Sequence, residues 1–297
     1  MSDMIKIRVP ATSANLGPGF DCLGLALDLW NEIAFEGADR LKYRTSGEGA
    51  EKLNKGNRNL LTKAYARLHD VCGRKMNGVH IAARNEIPMS SGLGSSAAAI
   101  VAGLFGANEM LGKPLDTDNL LKLATEMEGH PDNVAPALLG GLVISVMKHD
   151  EIITRRFDLP TMTTVIVKPD VEWPTRVARA VLPKSVSRAD AIYNIGRTAL
   201  VVDALRNGDL DLLQKVMEDR IHQPYRLRHI TGGTAAYKCA KQFGAAALSG
   251  AGPSIIVFVS QENAEKARKA VQSVFEERGV KSKGIITTPG SQGVYRS

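Results

Sequence analysis

The stretch from Pro88 to Ala98, PMSSGLGSSAA, constrains the fold most, because it joins a strand pattern to a helix pattern through two glycines. Before it, apolar and polar residues alternate over residues 79–83, and after it apolar residues recur at helical spacing over residues 97–111. Such a loop offers an anion free backbone N–H groups and the positive end of a helix dipole. The pattern predicts a phosphate-binding strand–loop–helix unit, and an ordinary turn with a helix cap is the alternative.

The loop matches neither of the common nucleotide-binding patterns. The chain has no G-x-x-x-x-G-K-[ST], which disfavours a Walker-type ATPase. It also has no G-x-G-x-x-G after a first strand with an acidic residue about 20 positions later, which disfavours a dinucleotide site.

The length and composition are those of a globular protein. The 297 residues suffice for two domains, and the hydrophobic content is 44%. No long apolar run is present to cross a membrane, and the strand pattern at residues 5–9 leaves no room for the apolar region of a signal peptide. Cys22, Cys72 and Cys239 lie far apart with no C-x-x-C pair, which favours reduced thiols over a zinc site or a disulfide framework. We therefore expect a cytoplasmic protein without a membrane partner.

The formal charge of +7 raises the question of nucleic-acid binding. Lysine and arginine are spread along the chain rather than concentrated in one basic arm. Aromatic residues make up only 5%, too few for evident base-stacking platforms. An excess of positive charge also suits a site for ATP and a carboxylate substrate. We expect no nucleic-acid partner.

Hydrophobic periodicity and turn residues predict alternating strands and helices. Strands are expected near residues 4–9, 30–36, 79–83, 140–146, 152–153 and 164–167, with two short ones between 245 and 259. Helices are expected near 58–71, 97–111, 116–128, 187–206 and 262–278, and a turn at 148–150. The break at Leu159-Pro160 predicts a boundary between an N-terminal domain over residues 1–160, which contains the predicted phosphate loop, and a C-terminal domain over residues 161–297.

The N-terminal segment PATSANLGPGFD, from Pro10 to Asp21, contains a glycine–proline turn that brings Asn15 and Asp21 close together. It can be a plain surface turn in which Asp21 caps a helix. It can also be a clamp for an amine or a hydroxyl, because a buried carboxylate needs a cationic partner and a substrate ammonium would supply one.

The segment EMEGHPDN, from Glu126 to Asn133, ends a helix and is dense in polar side chains. Magnesium bound with ATP takes one or two carboxylates together with phosphate oxygens, and Glu126 and Glu128 both qualify. The alternative for these carboxylates is a solvated helix end. For His130 and Asp132 the alternative is a capping or structural role.

Thr175 and Arg179 lie four residues apart, on one face of a helical turn, and Arg226 supplies a further cation. Two arginines in one pocket form a fork that suits a carboxylate. For each arginine alone, a solvated surface position is the alternative.

A second glycine loop, SGAGPS from Ser249 to Ser254, is locally no more than a tight turn between strands. With the segments at 10–21 and 88–98, however, it resembles in order the three signature regions of the GHMP kinases, whose phosphate loop reads P-x-x-x-G-L-G-S-S-A-A. The segments SANLGPGFD, EGHPDNVAP and PTRVARAVLP are similar to those of the homoserine kinases within this superfamily. The lysine of mevalonate kinase is absent from the first segment, which reads Thr12-Ser13 there.

The resemblance implies a two-domain α+β GHMP kinase fold. The N-terminal ATP-binding domain would be like ribosomal S5 domain 2, and the ferredoxin-like C-terminal domain would close over the substrate, with ATP between the two. It also implies transfer of a phosphoryl group from ATP to the side-chain hydroxyl of L-homoserine, on the route to threonine. Mg²⁺ is the second cofactor that it implies, and a homodimer is a further expectation from the family.

The resemblance assigns expected roles to individual residues. The loop expected to bind ATP consists of Pro88, Met89, Ser90, Ser91, Gly92, Leu93, Gly94, Ser95, Ser96, Ala97 and Ala98. The residues expected around the substrate are Asn15, Asp21, His130, Thr175, Arg179, Arg226, Ser249 and Gly250, with Asp21 toward the ammonium and the arginines toward the carboxylate. Ser96 and Glu126 are expected to hold Mg²⁺, and Glu128 stays open as the alternative ligand because this segment varies in length within the family.

The residues expected to take part in catalysis are Asn133, Asp132 and Glu126. Asn133 and the His130 region would orient the hydroxyl, and Glu126 with Mg²⁺ would supply most of the electrostatic stabilisation. Asp132 is the obvious candidate for a base, but the loose transition state of phosphoryl transfer requires little base strength.

Two alternative functions remain for a chain that resembles the GHMP kinases. Another kinase of this kind, acting on a small alcohol without an ammonium group, would leave Asp21 and the two arginines unexplained. A non-catalytic ligand sensor would be marked by a degraded phosphate loop or a missing metal carboxylate, and this chain retains both features.

Overall fold

The computed structural model describes residues 4–57, 59–149 and 151–297. The strands, in chain order, are β1 (Ile5–Ala14), β2 (Leu23–Gly37), β3 (Lys42–Gly47), β4 (Val79–Asn85), β5 (Leu142–Lys148), β6 (Glu151–Phe157), β7 (Thr163–Pro169), β8 (Ala245–Leu248), β9 (Ile255–Val259), β10 (Ser282–Thr287) and β11 (Tyr295–Arg296). The helices are α1 (Ala50–Leu53), α2 (Leu60–Val71), α3 (Ser95–Met110), α4 (Thr117–Glu128), α5 (Pro131–Leu139), α6 (Thr175–Ala180), α7 (Arg188–Asn207), α8 (Leu210–Val216), α9 (Gln223–Leu227), α10 (Gly233–Ala240) and α11 (Ala264–Glu276).

The first sheet has the order β11-β1-β2-β4-β3, and β5 and β6 extend it from the other end of β2. Strand β1 pairs with β2 along its whole length, from Ile5 opposite Phe35 to Ala14 opposite Gly24, with an irregularity after Pro10. Ile5 and Ile7 point into the core with alternation typical of a strand that is covered on one face. β1 therefore extends five residues beyond the predicted end at residue 9 and delivers the N-terminal motif to the middle of the molecule.

Helix α3 is buried over most of its surface, which its small and apolar residues allow, among them Ala97, Ile100, Val101 and Leu104. It packs against β1, α2, α4 and α5. A helix held on several sides has a fixed N-terminus, so the backbone N–H groups of its first turn are fixed in position too.

The second sheet has the order β10-β7-β9-β8 and is covered on both faces. Val165 and Val257 lie in a core with residues of α10 and α11, while Ile166 and Ile256 on the opposite face join the main core, to which α7 and α8 also contribute. This continuous main core connects the two sheets. The division into domains at residue 160 stays a prediction, and β11 returns to pair with β1 in the first sheet.

Most of the predicted elements are present, with ends shifted by a few residues. Asp150 of the predicted turn and Arg58 of the predicted helix lie outside the described residues. The sequence reading missed several short elements, namely β3, α1, α5, α8, α9, α10, β10 and β11. Segments this short do not show a full hydrophobic period, and α5 is buried on all sides, so neither can be recognised by periodicity.

The helices and cysteines bear on two further expectations. Within the described ranges, none of the helices has the length and hydropathy that crossing a bilayer requires. Cys22, Cys72 and Cys239 are free thiols, as predicted.

Candidate active site

The loop between β4 and α3 runs beneath the second glycine loop. Gly92 and Gly94 have φ angles of 78° and 67°, in the left-handed region that glycine tolerates. A Cβ atom at Gly92 would lie 2.2 Å from the carbonyl oxygen of Ser249, and one at Gly94 would lie 1.9 Å from Thr12 Oγ1. Glycine is therefore required here by close packing as well as by any ligand.

A cavity of about 310 Å³ opens above this loop and extends from strands of the first sheet to α6 and the second glycine loop. Of the residues expected to bind ATP, those that line it are Met89, Ser90, Ser91, Gly92, Gly94, Ser95, Ser96 and Ala98. Leu93 and Ala97 instead point into the hydrophobic core. Pro88 is buried, and its carbonyl accepts a hydrogen bond from the hydroxyl of Ser91 at 2.7 Å. These three residues of the expected ATP-binding loop therefore support the loop from beneath and do not line the cavity.

Ser249 was expected beside the substrate, but its side chain is fully buried outside the cavity. Its Oγ lies 2.8 Å from the carbonyl oxygen of Gly92 and 2.8 Å from Ser13 Oγ, so the hydroxyl ties the two glycine loops together. Gly250 does line the cavity. The second loop thus contributes backbone to the site, and its first serine is a structural link.

The structure separates the two candidate metal carboxylates. Glu126 lies outside the cavity, half exposed, 3.7 Å from Arg67 on the surface. Glu128 lines the cavity and accepts a 2.6 Å hydrogen bond from Ser96 Oγ. Burial raises the pKa of Glu128, against the hydrogen bond from Ser96, which lowers it. The structure therefore places Glu128, the alternative metal ligand, beside Ser96 in the cavity, and it places Glu126, the expected ligand, outside the cavity.

Helix α5 begins directly after His130 and carries a chain of buried hydrogen bonds. His130 Nδ1 lies 2.5 Å from Asp132 Oδ1, and Asn133 Nδ2 lies 3.3 Å from the same oxygen. Thr12 Oγ1 on β1 donates to Asn133 Oδ1 at 2.8 Å. Burial lowers the pKa of His130, but the hydrogen bond and the charge of Asp132 outweigh it, so the pKa is raised overall. All three of His130, Asp132 and Asn133 line the cavity, as expected.

At the far end of the cavity the N-terminal motif meets α6. Asn15 Nδ2 donates to the carbonyl of Gly250 at 2.8 Å, and Asn15 Oδ1 accepts from the backbone N–H of Asp21 at 3.0 Å. Asp21 accepts two hydrogen bonds from Arg179, at 2.9 and 3.1 Å. Thr175, at the start of α6, lines the same wall. The structure therefore brings these predicted residues together.

Arg226 on α9 lines the same wall and is 2% exposed. Its Nε donates to the carbonyl of Ala178 at 3.1 Å and its Nη1 to the carbonyl of Gly250 at 3.1 Å. Burial, together with the charge of Arg179, lowers the pKa of Arg226 to about 10, which leaves the guanidinium charged at neutral pH. Because Nε and Nη1 bind backbone carbonyls, only Nη2 of Arg226 is left for a ligand, so Arg226 alone cannot bind a carboxylate through two of its nitrogens.

The opposite end of the cavity contains residues that sequence reasoning missed. They come from β2, β3, α1, α2 and β4 and include Asn31, Ile33, Tyr43, Leu53, Asn59, Leu60, Leu61 and Asn85. Asn59 Oδ1 caps α2 through the N–H of Thr62 at 3.0 Å, a role that explains its place in the sequence. Among the described residues, however, its buried Nδ2 has no hydrogen-bond partner.

Two models of the GHMP kinases match the chain, the N-terminal domain over residues 59–141 and the C-terminal domain over residues 201–277. The homoserine kinase of Moorella thermoacetica is 43% identical over 94% of this chain and 95% of its own length. That of Desulfitobacterium hafniense is 40% identical over 98% and 99%.

Solved structures agree with these matches. A homoserine kinase from Cytophaga hutchinsonii superimposes with a TM-score of 0.88 at 32% identity, over 100% of this chain and 98% of that one. A galactokinase from Lactococcus lactis, at 16% identity and a TM-score of 0.76, shares the fold. The expected two-domain α+β fold is therefore confirmed. The chain belongs to the GHMP kinase family and, within that family, to the homoserine kinases.

Proposed function

We propose that this protein transfers the γ-phosphoryl group of ATP to the side-chain hydroxyl of L-homoserine, forming ADP and O-phospho-L-homoserine. The observation that supports this most is the layout of one cavity, which has a phosphate loop along its floor and Asp21 with Arg179 at one end. The relatives at 40–43% identity carry the name of this activity.

ATP would lie along the loop, with its phosphates at the N-terminus of α3. The backbone N–H groups of the first turn and the helix dipole stabilise negative charge there. The nucleoside would occupy the end lined by Tyr43, Leu53 and Asn59, where apolar side chains cover a base and Asn59 Nδ2 is available as a donor.

L-homoserine would bind at the end formed by the N-terminal motif and α6. Its ammonium group would be placed at Asp21 and its carboxylate at Arg179 and Arg226, so that each charged group of the zwitterion meets a side chain of opposite charge. Asn15 and Thr175 supply polar atoms at the same wall. This assignment uses each charged side chain of that wall.

Glu128 and Ser96 fit a magnesium ion, because a carboxylate and a hydroxyl at the edge of the phosphate loop are oxygen ligands of the kind Mg²⁺ prefers. No cluster of three or more metal-binding side chains occurs in the described part of the chain, so phosphate oxygens would complete the shell. When bound, Mg²⁺ neutralises charge on the transferred phosphoryl group.

His130, Asp132 and Asn133 would orient the attacking hydroxyl. His130 Nδ1 and Asn133 Nδ2 both bind Oδ1 of Asp132, so these side chains hold one another in place and are suited to orienting a hydroxyl. A loose transition state needs little base strength, because the hydroxyl loses its proton late. Positioning and charge neutralisation would then carry the reaction.

The test is ADP release with L-homoserine, mevalonate, shikimate and galactose, each offered with MgATP. We expect a kcat/KM for L-homoserine far above the other three. A higher kcat/KM for another alcohol would establish a different GHMP kinase activity. If none of the four alcohols is turned over, the alternative of a non-catalytic ligand sensor would be favoured. The same assay without a divalent cation and with EDTA tests whether activity requires Mg²⁺.

Three expectations stay predictions about the intact protein. They are a homodimer, a cytoplasmic location and no affinity for nucleic acid. Sedimentation at micromolar concentration tests the first. An electrophoretic mobility shift at physiological salt tests the last.

A further inference from the structure

His222 lies immediately before α9 and is completely buried, away from the surface of the cavity. Both of its ring nitrogens have partners. Nε2 is 2.8 Å from the carbonyl oxygen of Gly17, and Nδ1 is 3.3 Å from Nη1 of Arg226. A carbonyl oxygen can only accept and a guanidinium can only donate, so Nε2 must carry the proton and Nδ1 must be bare. The surroundings thus select one neutral tautomer.

The backbone around His222 is held by Asp219. The carboxylate of Asp219 accepts from the backbone N–H groups of Ile221, His222 and Gln223, at 2.9, 2.9 and 2.6 Å. It also accepts from Asn194 Nδ2 at 2.7 Å. These four bonds fix the backbone at His222 relative to α9, and with it the position from which the ring extends.

The ring of Phe20 covers the other side of His222. The two rings stack with centroids 5.2 Å apart. The guanidinium groups of Arg226 and Arg179 lie 5.2 and 5.9 Å from the centroid of Phe20. His222 is therefore in contact with a group that touches both arginines of the site, and a protonated ring here would add a cation beside them. Burial and the charge of Arg226 lower the pKa of His222 in agreement with this.

We propose that His222 is a positioning residue for the acceptor site, which holds the guanidinium of Arg226 through Nδ1 and fixes it to the N-terminal motif through the Nε2–H bond to Gly17. The two bonds join the helix that carries Arg226 to the loop that carries Asn15 and Asp21. The identity of the bound carboxylate rests on the proposed function, but the tautomer and the connection do not.

The first test is the protonation state of His222 in the resting protein, measured by ¹⁵N NMR of histidine-labelled protein at neutral pH. The His222 signal is assigned as the one lost in His222→Gln or, if that variant does not fold, in His222→Phe or by through-space contact with Phe20. We expect the proton on Nε2 and a bare Nδ1. A proton on Nδ1, or on both nitrogens, overturns the proposal. Because no substrate is present, this result is independent of whether homoserine is the acceptor.

The second test separates the two bonds with variants of similar size. In His222→Asn the amide oxygen can take the place of Nδ1 and accept from Arg226, whereas in His222→Gln the amide nitrogen can take the place of Nε2 and donate to Gly17. We expect His222→Gln to raise the KM for homoserine by about tenfold or more and His222→Asn to change it by about threefold or less. The KM for ATP should be unchanged in both.

Equal effects of the two variants on homoserine, or a KM for ATP that rises in parallel, would show a merely structural residue and overturn the proposal. Circular dichroism and melting curves establish that each variant is folded. If neither folds, the tautomer in the natural protein decides.

Discussion

Asp21 and Arg179 neutralise each other across the cavity wall, through two hydrogen bonds of 2.9 and 3.1 Å between carboxylate and guanidinium. These are the residues proposed to bind the ammonium and the carboxylate of the substrate, two groups attached to the same carbon atom, and both side chains are part-exposed. An exposed pair of this kind contributes only about 0–1 kcal/mol, so separating it costs little. A zwitterion restores a partner to both residues, whereas a ligand with a single charge leaves one of them unpaired.

Replacing Asp21 by asparagine tests the ammonium role. Asp21→Asn should reduce kcat/KM for L-homoserine and should reduce it much less for 4-hydroxybutyrate, which has no ammonium. The advantage of homoserine over the deaminated compound then narrows. Losses of equal size for the two compounds, measured by ADP release, would remove the ammonium role from Asp21.

Replacing Arg179 by methionine tests the carboxylate role. Loss of a charge-assisted hydrogen bond should lower kcat/KM for homoserine by roughly 10- to 150-fold and leave the KM for ATP unchanged. Arg176→Met is the matched control, since Arg176 lies exposed on the same helix. The stability of Arg179→Met should stay close to that of the natural protein, whereas Arg226→Met should also lower the melting temperature, because it breaks bonds to Ala178 and Gly250. A raised KM for ATP in Arg179→Met would contradict the assignment.

The two glutamates at the end of α4 form a matched pair. Glu128→Gln should lower kcat and raise the magnesium concentration needed for half-maximal activity, because it removes the carboxylate beside Ser96. Glu126→Gln should leave both quantities unchanged, because Glu126 contacts Arg67 on the surface. Magnesium titrations of the two variants decide the point, and identical curves would show that Glu128 is not a ligand.

Asp132→Asn tests the absence of a strong base. If orientation is its main role, kcat should fall less than in Glu128→Gln. Removal of a true general base costs about 10²–10⁴-fold. A fall of that size, with unchanged KM values and native circular dichroism, would establish Asp132 as a base and would refute the mechanism proposed above.

The buried His222 makes stability depend on pH. Its folded-state pKa is lowered, by burial first and by Arg226, while Asp219 and Asp21 oppose this. The unfolded chain therefore binds a proton below a pH of about 6.5 that the folded chain excludes, so the free energy of unfolding falls as the pH drops through that value. Urea unfolding at about pH 7.5 and 5.5 should show a larger decrease for the natural protein than for His222→Asn. Parallel decreases would contradict a neutral His222.

The phosphate loop and α3 were predictable because their signals are local: glycines, serines and a run of small apolar residues. The sequence could not decide whether Glu126 or Glu128 lies beside the phosphate loop. Residues two positions apart on a helix, such as Glu126 and Glu128, point about 200° apart, so only one of them faces the cavity. Which one does so depends on how α4 packs against α3. Likewise, the sequence analysis did not identify Asn59, and only the fold shows that this residue caps α2 and also lines the cavity.

The arginines illustrate the same limit. Their separation in sequence, with Arg179 on α6 and Arg226 on α9, allowed a common pocket but did not reveal what else they bind. Two nitrogens of Arg226 donate hydrogen bonds to the backbone carbonyls of Ala178 and Gly250. Contacts between segments this far apart in the chain produce no local sequence pattern. Ser249 was misplaced for the same reason, since its partner Gly92 is 157 residues away.

The pairing of β11 with β1 has a consequence for synthesis of the protein. Tyr295 lies opposite Arg8 and Arg296 opposite Ile7, and the N–H of Ser297 donates to the carbonyl of Lys6 at 3.0 Å. In a chain emerging from the ribosome, the outer edge of β1 therefore remains unpaired until β11 has been made. An open edge is a template for pairing with other chains, so the nascent protein is most exposed to aggregation in this interval. A segment joined after Ser297 would begin next to β1, the first strand of the sheet to be synthesised.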